Sequence, residues 1–520
     1  MKSFRHYLLF VCSVLLAGTA NAQFTFEKII GGAGSQNSTM LIHTSDNGFA
    51  MLGNTNSSGA GDYDICLIKL NPYGDTLWTR TYGGSGEEYA VGVAQTADDG
   101  YAISGYTKSF GASAKDVFLL RTDQSGMVMW TKRFAAPGED YGNNVQQTTD
   151  GGFILTASST VAGGTNYSAY LIKTDANGDT LWTRWYGGAL EDDGNYVQKT
   201  QDGGYIITGT TLSFGAGGVD IYVVKTNATG DTLWTRTYGG PQGDYGFSVR
   251  QLDNGEYIIT GVTSSFGAGS YDSYLMKLDV NGNVLWTKVY GGTDWDSGFS
   301  IEQTSDNGFI ILGQSFSFGT NSDIYLIKTD ANGDTLWTRS FGGSEYEYQS
   351  CIVQTSDQGY LISANEESFG SGRNIYFIKT DSLGYSGCND AGTGTIVTTV
   401  VMPSSATATV VGSGGSYSSA ASLTGSGIPV TTLCTTVDIN ESSGKNNLVV
   451  YPNPFENTFN LRGTTNNGVA AICDLSGKVI LQLQTTDVET TVDTKQLNPG
   501  FYLINYRDGK KFITTTLVKL

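Results

Sequence analysis

Short runs in which apolar and polar residues alternate recur along most of the chain, and residues 246–292 contain one complete set. The alternation over 246–251 and the apolar run 257–261 predict two strands, joined by an Asp-Asn-Gly sequence that is typical of a hairpin turn. The runs 272–278 and 284–290 predict two further strands. Four short antiparallel strands in succession are typical of one blade of a β-propeller. The predicted fold class is therefore all-β.

The four-strand pattern is repeated with a nearly constant period. The tryptophan of the fourth strand returns every 52 residues, or 51 in the last case, at Trp78, Trp130, Trp182, Trp234, Trp286 and Trp337. The aromatic residue that opens the second strand occurs seven times, as Phe49, Tyr101, Phe153, Tyr205, Tyr257, Phe309 and Tyr360. A fixed period of this length predicts a repeat architecture. We expect these aromatic residues to form the core between neighbouring units.

The count of strands predicts how the repeats close. Seven second strands are present, but the seventh unit lacks the Trp-Thr-Arg fourth strand after Tyr385. Residues 24–32 have the pattern of a fourth strand with no unit before them. Pairing this N-terminal strand with the last unit would close a ring and remove the open edges that favour aggregation. We therefore predict a seven-bladed β-propeller over residues 23–386.

The two ends of the chain differ in composition from the repeats. A basic start, an apolar run and an Ala-Asn-Ala site that ends at Ala22 predict a secretory signal peptide over residues 1–22. Residues 387–447 are rich in Gly, Ser and Thr, which predicts a linker or a small β-rich appendage. Because the protein is exported, the oxidising compartment permits a disulfide between Cys388 and Cys434.

The last segment, residues 448–520, alternates in short strands with Pro and Gly at the corners, which predicts a small β-sandwich. Three motifs follow one another there: Tyr-Pro-Asn-Pro at the start, Asp-x-x-Gly-Lys in a hairpin, and Leu-x-Pro-Gly-x-Tyr on a strand. The residues singled out are Tyr451, Pro452, Asn453, Pro454, Gly477, Lys478, Pro499, Gly500 and Tyr502, with Lys519 in the last strand. In these motifs the segment resembles the type A C-terminal sorting domain of the type IX, or Por, secretion system.

This resemblance implies an export route. It indicates a Gram-negative bacterium of the Bacteroidetes type, in which the signal peptide takes the protein across the inner membrane. The type IX translocon is then the expected partner, and it delivers the product to the cell surface or the medium. The repeats also resemble seven-bladed propellers of secreted bacterial proteins, but propellers include lectins, scaffolds and enzymes, so this second resemblance does not identify a function.

Charge and composition exclude several classes of partner. The formal net charge is −19 and the sequence has no basic patch, so nucleic acid and anionic membrane surfaces are not expected as partners. After residue 22, no apolar run reaches the ~18 residues that a membrane helix needs. His43 has no second histidine beside it with which to build a metal cluster. We expect a monomer without a cofactor and without enzymatic activity.

Carboxylates are the abundant reactive groups, and alignment of the units places them in two sets. The first follows the Gly-Gly pair and consists of Glu88, Asp140, Asp192, Asp244, Asp296 and Glu347, with Gln36 in the remaining copy. The second opens the third strand and consists of Asp64, Asp116, Asp220, Asp272 and Asp323, with Ser168 and Asn374 in the remaining copies. The first set is predicted to ring one mouth of the central channel. Two interpretations stay open: the acids accept backbone hydrogen bonds within loops, or they bind a cation such as calcium, or a polar ligand.

Ser-Phe-Gly loops on the same face add the aromatic residues Phe110, Phe214, Phe266, Phe318 and Phe369. Exposed rings would stack on sugars, whereas rings between blades would only pack. The leading hypothesis is a non-enzymatic, secreted or cell-surface propeller that binds a glycan or a protein, with a role in adhesion. The alternatives are a polysaccharide hydrolase or lyase, and a structural surface or matrix component. A glycosidase needs two carboxylates in different environments, which a repeated ring does not supply.

Overall fold

The computed structural model of the protein describes most of the chain after the predicted signal peptide, which itself lies outside the described residues. These are 23–31, 34–110, 114–136, 138–160, 166–319, 321–370, 372–399, 404–406, 410–412, 416–420, 423–425, 430–438, 449–451, 457–462, 468–473, 479–485, 489–498, 500–508 and 511–519. Every regular element among them is a β-strand, which confirms the all-β class. The chain divides into two compact units, Phe24–Thr436 and a second that comprises Val437–Leu520 with Met1–Gln23.

The first unit is built from groups of consecutive antiparallel strands, preceded by β1 (Gln23–Ile30). The first three groups are β2 (Gln36–His43), β3 (Phe49–Thr55), β4 (Asp64–Leu70) and β5 (Thr76–Gly83); β6 (Glu88–Gln95), β7 (Tyr101–Thr107), β8 (Asp116–Thr122) and β9 (Val128–Ala135); and β10 (Asp140–Gln147), β11 (Phe153–Ser159), β12 (Ser168–Thr174) and β13 (Thr180–Gly187). The next three are β14 (Asp192–Lys199), β15 (Tyr205–Thr211), β16 (Asp220–Thr226) and β17 (Thr232–Tyr238); β18 (Asp244–Gln251), β19 (Tyr257–Thr263), β20 (Asp272–Leu278) and β21 (Val284–Gly291); and β22 (Ser300–Gln303), β23 (Phe309–Ser315), β24 (Asp323–Thr329) and β25 (Thr335–Phe341). The seventh has three strands, β26 (Glu347–Gln354), β27 (Tyr360–Glu366) and β28 (Asn374–Thr380).

The composition of the strands explains why each group folds as a sheet. β16 reads Asp-Ile-Tyr-Val-Val-Lys-Thr and is buried along its whole length, as β-branched and aromatic residues favour. The turn that follows contains Gly230 at φ 77°, a left-handed conformation that glycine adopts without strain. The equivalent turns of the other groups use Gly74, Gly126 and Gly282 in the same way. Each repeat of the sequence therefore supplies a set of buried strands joined by turns that contain glycine.

The seven sheets follow one another in a cycle. β1 pairs antiparallel with β28, with Phe26 opposite Lys379 and Ile30 opposite Ile375, and so supplies the fourth strand of the seventh sheet. The first strands of the sheets contact one another in order, from β2 to β6, β10, β14, β18, β22 and β26, and β26 contacts β2. The N-terminal strand therefore completes the last sheet, as the sequence predicts.

Apolar side chains fill the spaces between neighbouring sheets. One such cluster joins Leu52 and Leu67 of the first sheet to Ile103 of the second. The expected tryptophan contact is present at the same interface, where Trp78 meets Tyr101 edge-on with ring centroids 5.9 Å apart. Each fully buried apolar side chain of this kind stabilises the fold by about 2 kcal/mol, so these interfaces hold the cycle together.

Residues 390–438 add a fifth strand to every sheet, and we call this segment the girdle. Its strands are β29 (Asp390–Gly392), β30 (Ile396–Thr399), β31 (Ser404–Ala406), β32 (Val410–Gly412), β33 (Ser416–Ala420), β34 (Leu423–Gly425) and β35 (Val430–Asp438). They pair, in this order, with β25, β21, β17, β13, β9, β5 and β1. The fourth strands would otherwise present a row of unpaired backbone groups. Where the sequence predicts a linker or an appendage, the structure places strands that belong to the seven sheets.

The cysteines divide into bonded and free residues. Cys388, just before the girdle, is disulfide-bonded. The side chain of its predicted partner, Cys434, lies outside the described residues. Cys66, Cys351 and Cys473 are free and buried.

The second unit contains two sheets. Its strands are β36 (Val449–Tyr451), β37 (Thr458–Arg462), β38 (Gly468–Cys473), β39 (Val479–Thr485), β40 (Glu489–Asp493), β41 (Gly500–Asp508) and β42 (Lys511–Lys519). One sheet has the order β36-β37-β40 and the other the order β39-β38-β41-β42. Phe459 and Leu461 of the first sheet share one buried cluster with Ile472, Ile504 and Leu517 of the second. The unit is thus two antiparallel sheets around one apolar core.

Candidate functional site

Five of the six acids in the first predicted set open the first strand of their sheet, Asp296 lies shortly before β22, and the structure buries all six. Asp244 shows the arrangement: its Oδ2 accepts hydrogen bonds from Gly240 N (2.7 Å) and from the Ser265 hydroxyl (2.7 Å). The matching backbone donors are Gly84 for Glu88, Ala136 for Asp140, Gly188 for Asp192, Gly292 for Asp296 and Gly343 for Glu347. All six acids are at most 1% exposed. We call these six residues the acid locks, because each ties the loop before a sheet to its first strand.

The second set is buried as well, at the start of the third strands. Asp64 Oδ2 accepts from Ala60 N (2.8 Å) and Gly61 N (3.1 Å), in the loop after the second strand. Asp220 and Asp272 accept from the equivalent loops, and Asp116 pairs with Arg133. For the acid locks and for Asp64, Asp220 and Asp272, these contacts are the ones that the backbone hydrogen-bonding interpretation describes, whereas Asp116 makes an ion pair instead.

The two sets meet at the first glycine of the Gly-Gly pair. An ideal Cβ on Gly239 would lie 1.8 Å from Asp220 Oδ1 and 2.8 Å from Asp244 Oδ2, so the two carboxyl groups face the same point and an added Cβ would displace them. Gly83, Gly291 and Gly342 occupy the same position between the corresponding acids. The sheets are thus fastened by pairs of buried carboxyl groups.

Burial changes the protonation of these pairs because water no longer solvates the charge. It raises the pKa of Asp220, Asp272 and Asp323 to about 6 and that of Glu347 to about 7. For Asp220, Asp272 and Glu347 the neighbouring acid of the pair adds to the increase. In the described part of the chain no group of three or more His, Cys, Asp or Glu side chains is arranged to hold a metal ion.

The predicted phenylalanines are half-buried and pack on the third strand of their own sheet. Phe318 lies 5.4 Å from the ring centroid of Tyr325, and Phe369 lies 5.4 Å from that of Tyr376. Phe110 and Phe214 make the equivalent contacts with Phe118 and Tyr222, and Phe266 joins the cluster that contains Tyr274. This is the packing interpretation of the Ser-Phe-Gly loops.

Aromatic residues that the sequence did not single out form a first arc on the surface beside the acid locks. Tyr89, Tyr106, Tyr141 and Tyr167 follow one another with centroid distances of 5.7, 5.3 and 5.7 Å. Tyr106 donates its hydroxyl to Glu87 (2.7 Å) and Tyr141 to Glu139 (2.5 Å). These bonds orient the rings.

A second arc runs along the loops and strand ends of the last three sheets. Tyr245, Tyr271, Trp295, Phe316, Tyr346 and Tyr348 follow one another with centroid distances of 6.4, 6.2, 5.2, 6.3 and 6.4 Å. Trp295 and Tyr346, which directly precede the acid locks Asp296 and Glu347, are each 39% exposed. Arg373 lies 4.4 Å over the Tyr348 ring. The arc therefore offers aromatic surface to solvent.

Most members of the arcs fall at three aligned positions, but each position is aromatic in only some of the copies. These positions directly follow the acid lock, directly precede it, or directly precede the third strand. Trp295 aligns with Glu191 of the fourth unit, and Tyr348 aligns with Asp193. The signal that would find them is local enrichment: in each of the last three units, at least one residue next to the acid position is aromatic.

The sequence Asp-Ala-Asn-Gly-Asp occurs at residues 175–179 and 330–334 and superficially resembles a calcium-binding loop. Asp175 Oδ1 accepts hydrogen bonds from Asn177 N (2.9 Å) and Asp179 N (2.8 Å), so that oxygen is engaged within its own turn. His43 is exposed at the end of β2, with its ring 5.1 Å from that of Phe49.

Solved structures and a sequence relative show weak similarity to this chain. Regulatory protein FlaEY of Caulobacter vibrioides is 26% identical over 188 residues, which are 31% of this chain and 19% of that protein. The extracellular domain of a hybrid two-component system from B. thetaiotaomicron aligns with 96% of this chain and 58% of its own length, at 11% identity and a TM-score of 0.42. PorZ, a surface component of the type IX secretion system of Porphyromonas gingivalis, aligns with 95% of this chain and 100% of its own length, at 9% identity and a TM-score of 0.23. At these TM-scores the structural similarities carry no argument about function.

The second unit has a specific match. Residues 449–520 match the family of secretion system C-terminal sorting domains, the Por secretion tail. Of the predicted motif residues, Tyr502 donates its hydroxyl to Asn498 O (2.7 Å), Lys519 Nζ donates to Thr494 O (2.6 Å), and Gly500 opens β41. The side chain of Tyr451 lies outside the described residues, as do Pro452, Asn453, Pro454, Gly477, Lys478 and Pro499. No helix in the described ranges is long and apolar enough to cross a membrane. The chain therefore carries a type IX C-terminal sorting domain and is exported to the cell surface or the extracellular space.

Proposed function

We propose that the unit Phe24–Thr436 is a closed seven-bladed β-propeller that acts after export as a non-enzymatic carbohydrate-binding module. Three features support the closed ring: the cyclic contacts of the first strands, the completion of the seventh sheet by β1, and the girdle that pairs with all seven sheets. A closed ring brings the loops and strand ends of one face together, and the two aromatic arcs lie on those loops and strand ends.

The observation that carries the proposed ligand class is the second arc. The faces of aromatic rings attract the polarised C–H groups of a sugar, and Trp295 and Tyr346 have the required exposure. Acidic and amide side chains near the arcs, such as Glu367 and Asn37, are suited to bind sugar hydroxyls. The net charge of −19 disfavours uronic acids and sulfated glycans, so the expected ligands are neutral polysaccharides.

The absence of turnover is part of the proposal, and the state of the carboxyl groups supports it. A glycosidase needs an acid and a base or nucleophile about 5–10 Å apart in distinct environments that the substrate can reach. The carboxyl groups of the acid locks are buried and bonded to loop backbone in nearly the same way in each copy. We propose no cofactor for the same reason, and a monomer as the binding species.

The test is binding of the exported protein to an array of neutral glycans and to insoluble polysaccharides. We expect the double variant Trp295→Ala/Tyr346→Ala to lose at least tenfold in affinity, since each ring contributes about 1 kcal/mol beyond its buried area. Leu190→Ala is the matched control, because Leu190 is a 51% exposed apolar residue in the same loop of the fourth unit. Unchanged binding by the double variant, or hydrolysis of the bound polysaccharide, would contradict the proposal.

A further inference from the structure

A cavity lies where the seven first strands meet, and its wall is built by a repeated irregularity. Six of these strands shift register by one residue at the same point. The residues left out of register are Thr39, Val91, Asn143, Asn195, Phe247 and Ser350, and Phe299 holds the equivalent position directly before β22. All seven line a cavity of about 250 Å³. A β-bulge leaves its extra residue unpaired and re-aims its side chain, which here brings seven side chains to one space.

The residues that line this cavity differ from one repeat to the next, and as a result one part of the wall is apolar and another part is polar. Phe247 and Phe299 lie together with ring centroids 5.1 Å apart. Met40 and Val91 add further apolar surface, whereas Asn143 contributes an amide to the wall. Packing of equivalent strands does not require such differences, since the neighbouring acid locks are almost the same in every copy. The cavity therefore has the apolar surface with a few polar groups that is typical of a small-molecule site.

Arg250 supplies the positive charge of the wall. Its guanidinium lies 4.6 Å over the Tyr196 ring, and its Nη1 donates to Val249 O (3.0 Å) and to Ser248 Oγ (3.4 Å). A guanidinium has five N–H donors, so the two bonds from Nη1 and a hydrogen bond to Tyr196 still leave donors for a ligand. Glu302, the acid that interacts electrostatically with Arg250, accepts from Gln354 N (2.7 Å) and is not part of the cavity wall.

We propose that this cavity binds a small amphipathic monocarboxylate. The carboxylate pairs with the guanidinium of Arg250, a charge-assisted and geometrically matched contact. The apolar part of the ligand lies against Phe247 and Phe299. The volume is near the lower limit of ligand pockets, which restricts the ligand to the size of an aromatic acid or a short fatty acid. This site is separate from the aromatic arcs and does not depend on carbohydrate binding.

The repeats provide variants that the fold already tolerates. Gln146 and Gln198 occupy the position of Arg250 in two other units, so Arg250→Gln places a familiar residue there. Ser350 likewise occupies the position of Phe299, which makes Phe299→Ser the second variant. Arg236→Gln is the control, because Arg236 lies on β17 of the preceding sheet, over the ring of Trp234 and away from the cavity wall.

The experiment is calorimetric titration of the full exported protein with benzoate and hexanoate, and with benzamide and inorganic phosphate for comparison. We expect at least one carboxylate to bind at least tenfold more tightly than both comparison compounds. Arg250→Gln should weaken that carboxylate at least tenfold, Phe299→Ser should weaken it severalfold, and Arg236→Gln should leave it unchanged. The proposal is overturned if neither carboxylate binds at millimolar concentration, if phosphate binds equally well, or if folded Arg250→Gln retains wild-type affinity. If Arg250→Gln does not fold, unchanged binding by Phe299→Ser overturns it instead.

Discussion

The acid locks and the cavity wall lie in or next to the first strands of the sheets, but they differ in how far their residues vary between repeats. At the lock position six copies carry an acid that is bonded to the loop before its own strand. Only a few residues further on, the bulge position carries Thr, Val, Asn, Asn, Phe, Phe or Ser. Residues that are the same in nearly every copy are therefore the ones that each sheet needs in order to fold and to pack on its neighbours. Variation marks positions that packing does not prescribe, and there the molecule has freedom to bind a ligand.

The glycines of the locks should show the largest effect on stability. A Cβ on Gly239 would lie 1.8 Å from Asp220 Oδ1, so the buried Asp220 carboxyl group would have to move. In the second sheet, where Ala135 holds the equivalent position, Asp116 pairs with Arg133, whereas Asp220 has Thr237 at the place of that arginine. We expect Gly239→Ala to lower the free energy of unfolding by about 3 kcal/mol. Denaturant unfolding of the variant measures this. Gly394→Ala is the control, because nothing lies within 4 Å of a Cβ at Gly394; equal losses in the two variants would show that the lock is not tightly packed.

The phenylalanines of the Ser-Phe-Gly loops should behave as repeated, structural residues, and the arcs as variable ones. Phe318 is half-buried against Tyr325, so Phe318→Ala should cost about 2 kcal/mol of unfolding free energy. Trp295→Ala, at a 39% exposed side chain, should change stability by less than about 0.5 kcal/mol. Thermal unfolding compares the two variants. The reverse order of losses would mean that Trp295 has a structural role.

The carboxyl pairs should make the protein more stable in mild acid. Their folded-state pKa values are raised to about 6 or 7, above those of unfolded carboxyl groups. This contribution is fully present below the unfolded pKa and is lost as the pH rises through the folded pKa, so unfolding free energy should fall between pH 5 and pH 8.

The variant that isolates one pair is Asp272→Asn, because Asn374 holds the equivalent position in the seventh unit. It should reduce the fall in unfolding free energy between pH 5 and pH 8 by about 1 kcal/mol. Unfolding curves at several pH values measure this slope. An unchanged slope in Asp272→Asn would show that this carboxyl group does not titrate in the stated range.

The sequence predicts the sheets well because their signal is long and repeated. Apolar strand segments of seven or eight residues recur at a fixed period. The fourth-strand sequence at residues 24–32 precedes the first unit, which indicates that it pairs with the last unit. The girdle was not predictable in this way. Several of its strands are only three residues long, and Gly, Ser and Thr carry no apolar period, so their pairing depends on the sheet edges that already exist.

The residues of the candidate sites also differ in how well the sequence predicts them. Alignment of the copies locates the acids, but their burial depends on loops from two parts of each unit, as for Asp220 and Asp244. Alignment identifies the positions that the copies share, so positions where the copies differ, such as those of Trp295 and Arg250, do not stand out. A repeat protein therefore reveals its framework readily and its binding residues poorly.

The most direct test of this account is the dissociation constant of one neutral oligosaccharide, identified on the array, for the wild-type protein, Trp295→Ala and Leu190→Ala. The account predicts that Trp295→Ala raises the dissociation constant about tenfold, whereas Leu190→Ala leaves it nearly unchanged. The melting temperatures of all three proteins should be nearly equal. Equal dissociation constants for the three proteins would contradict the claim that the variable aromatic positions form the binding surface.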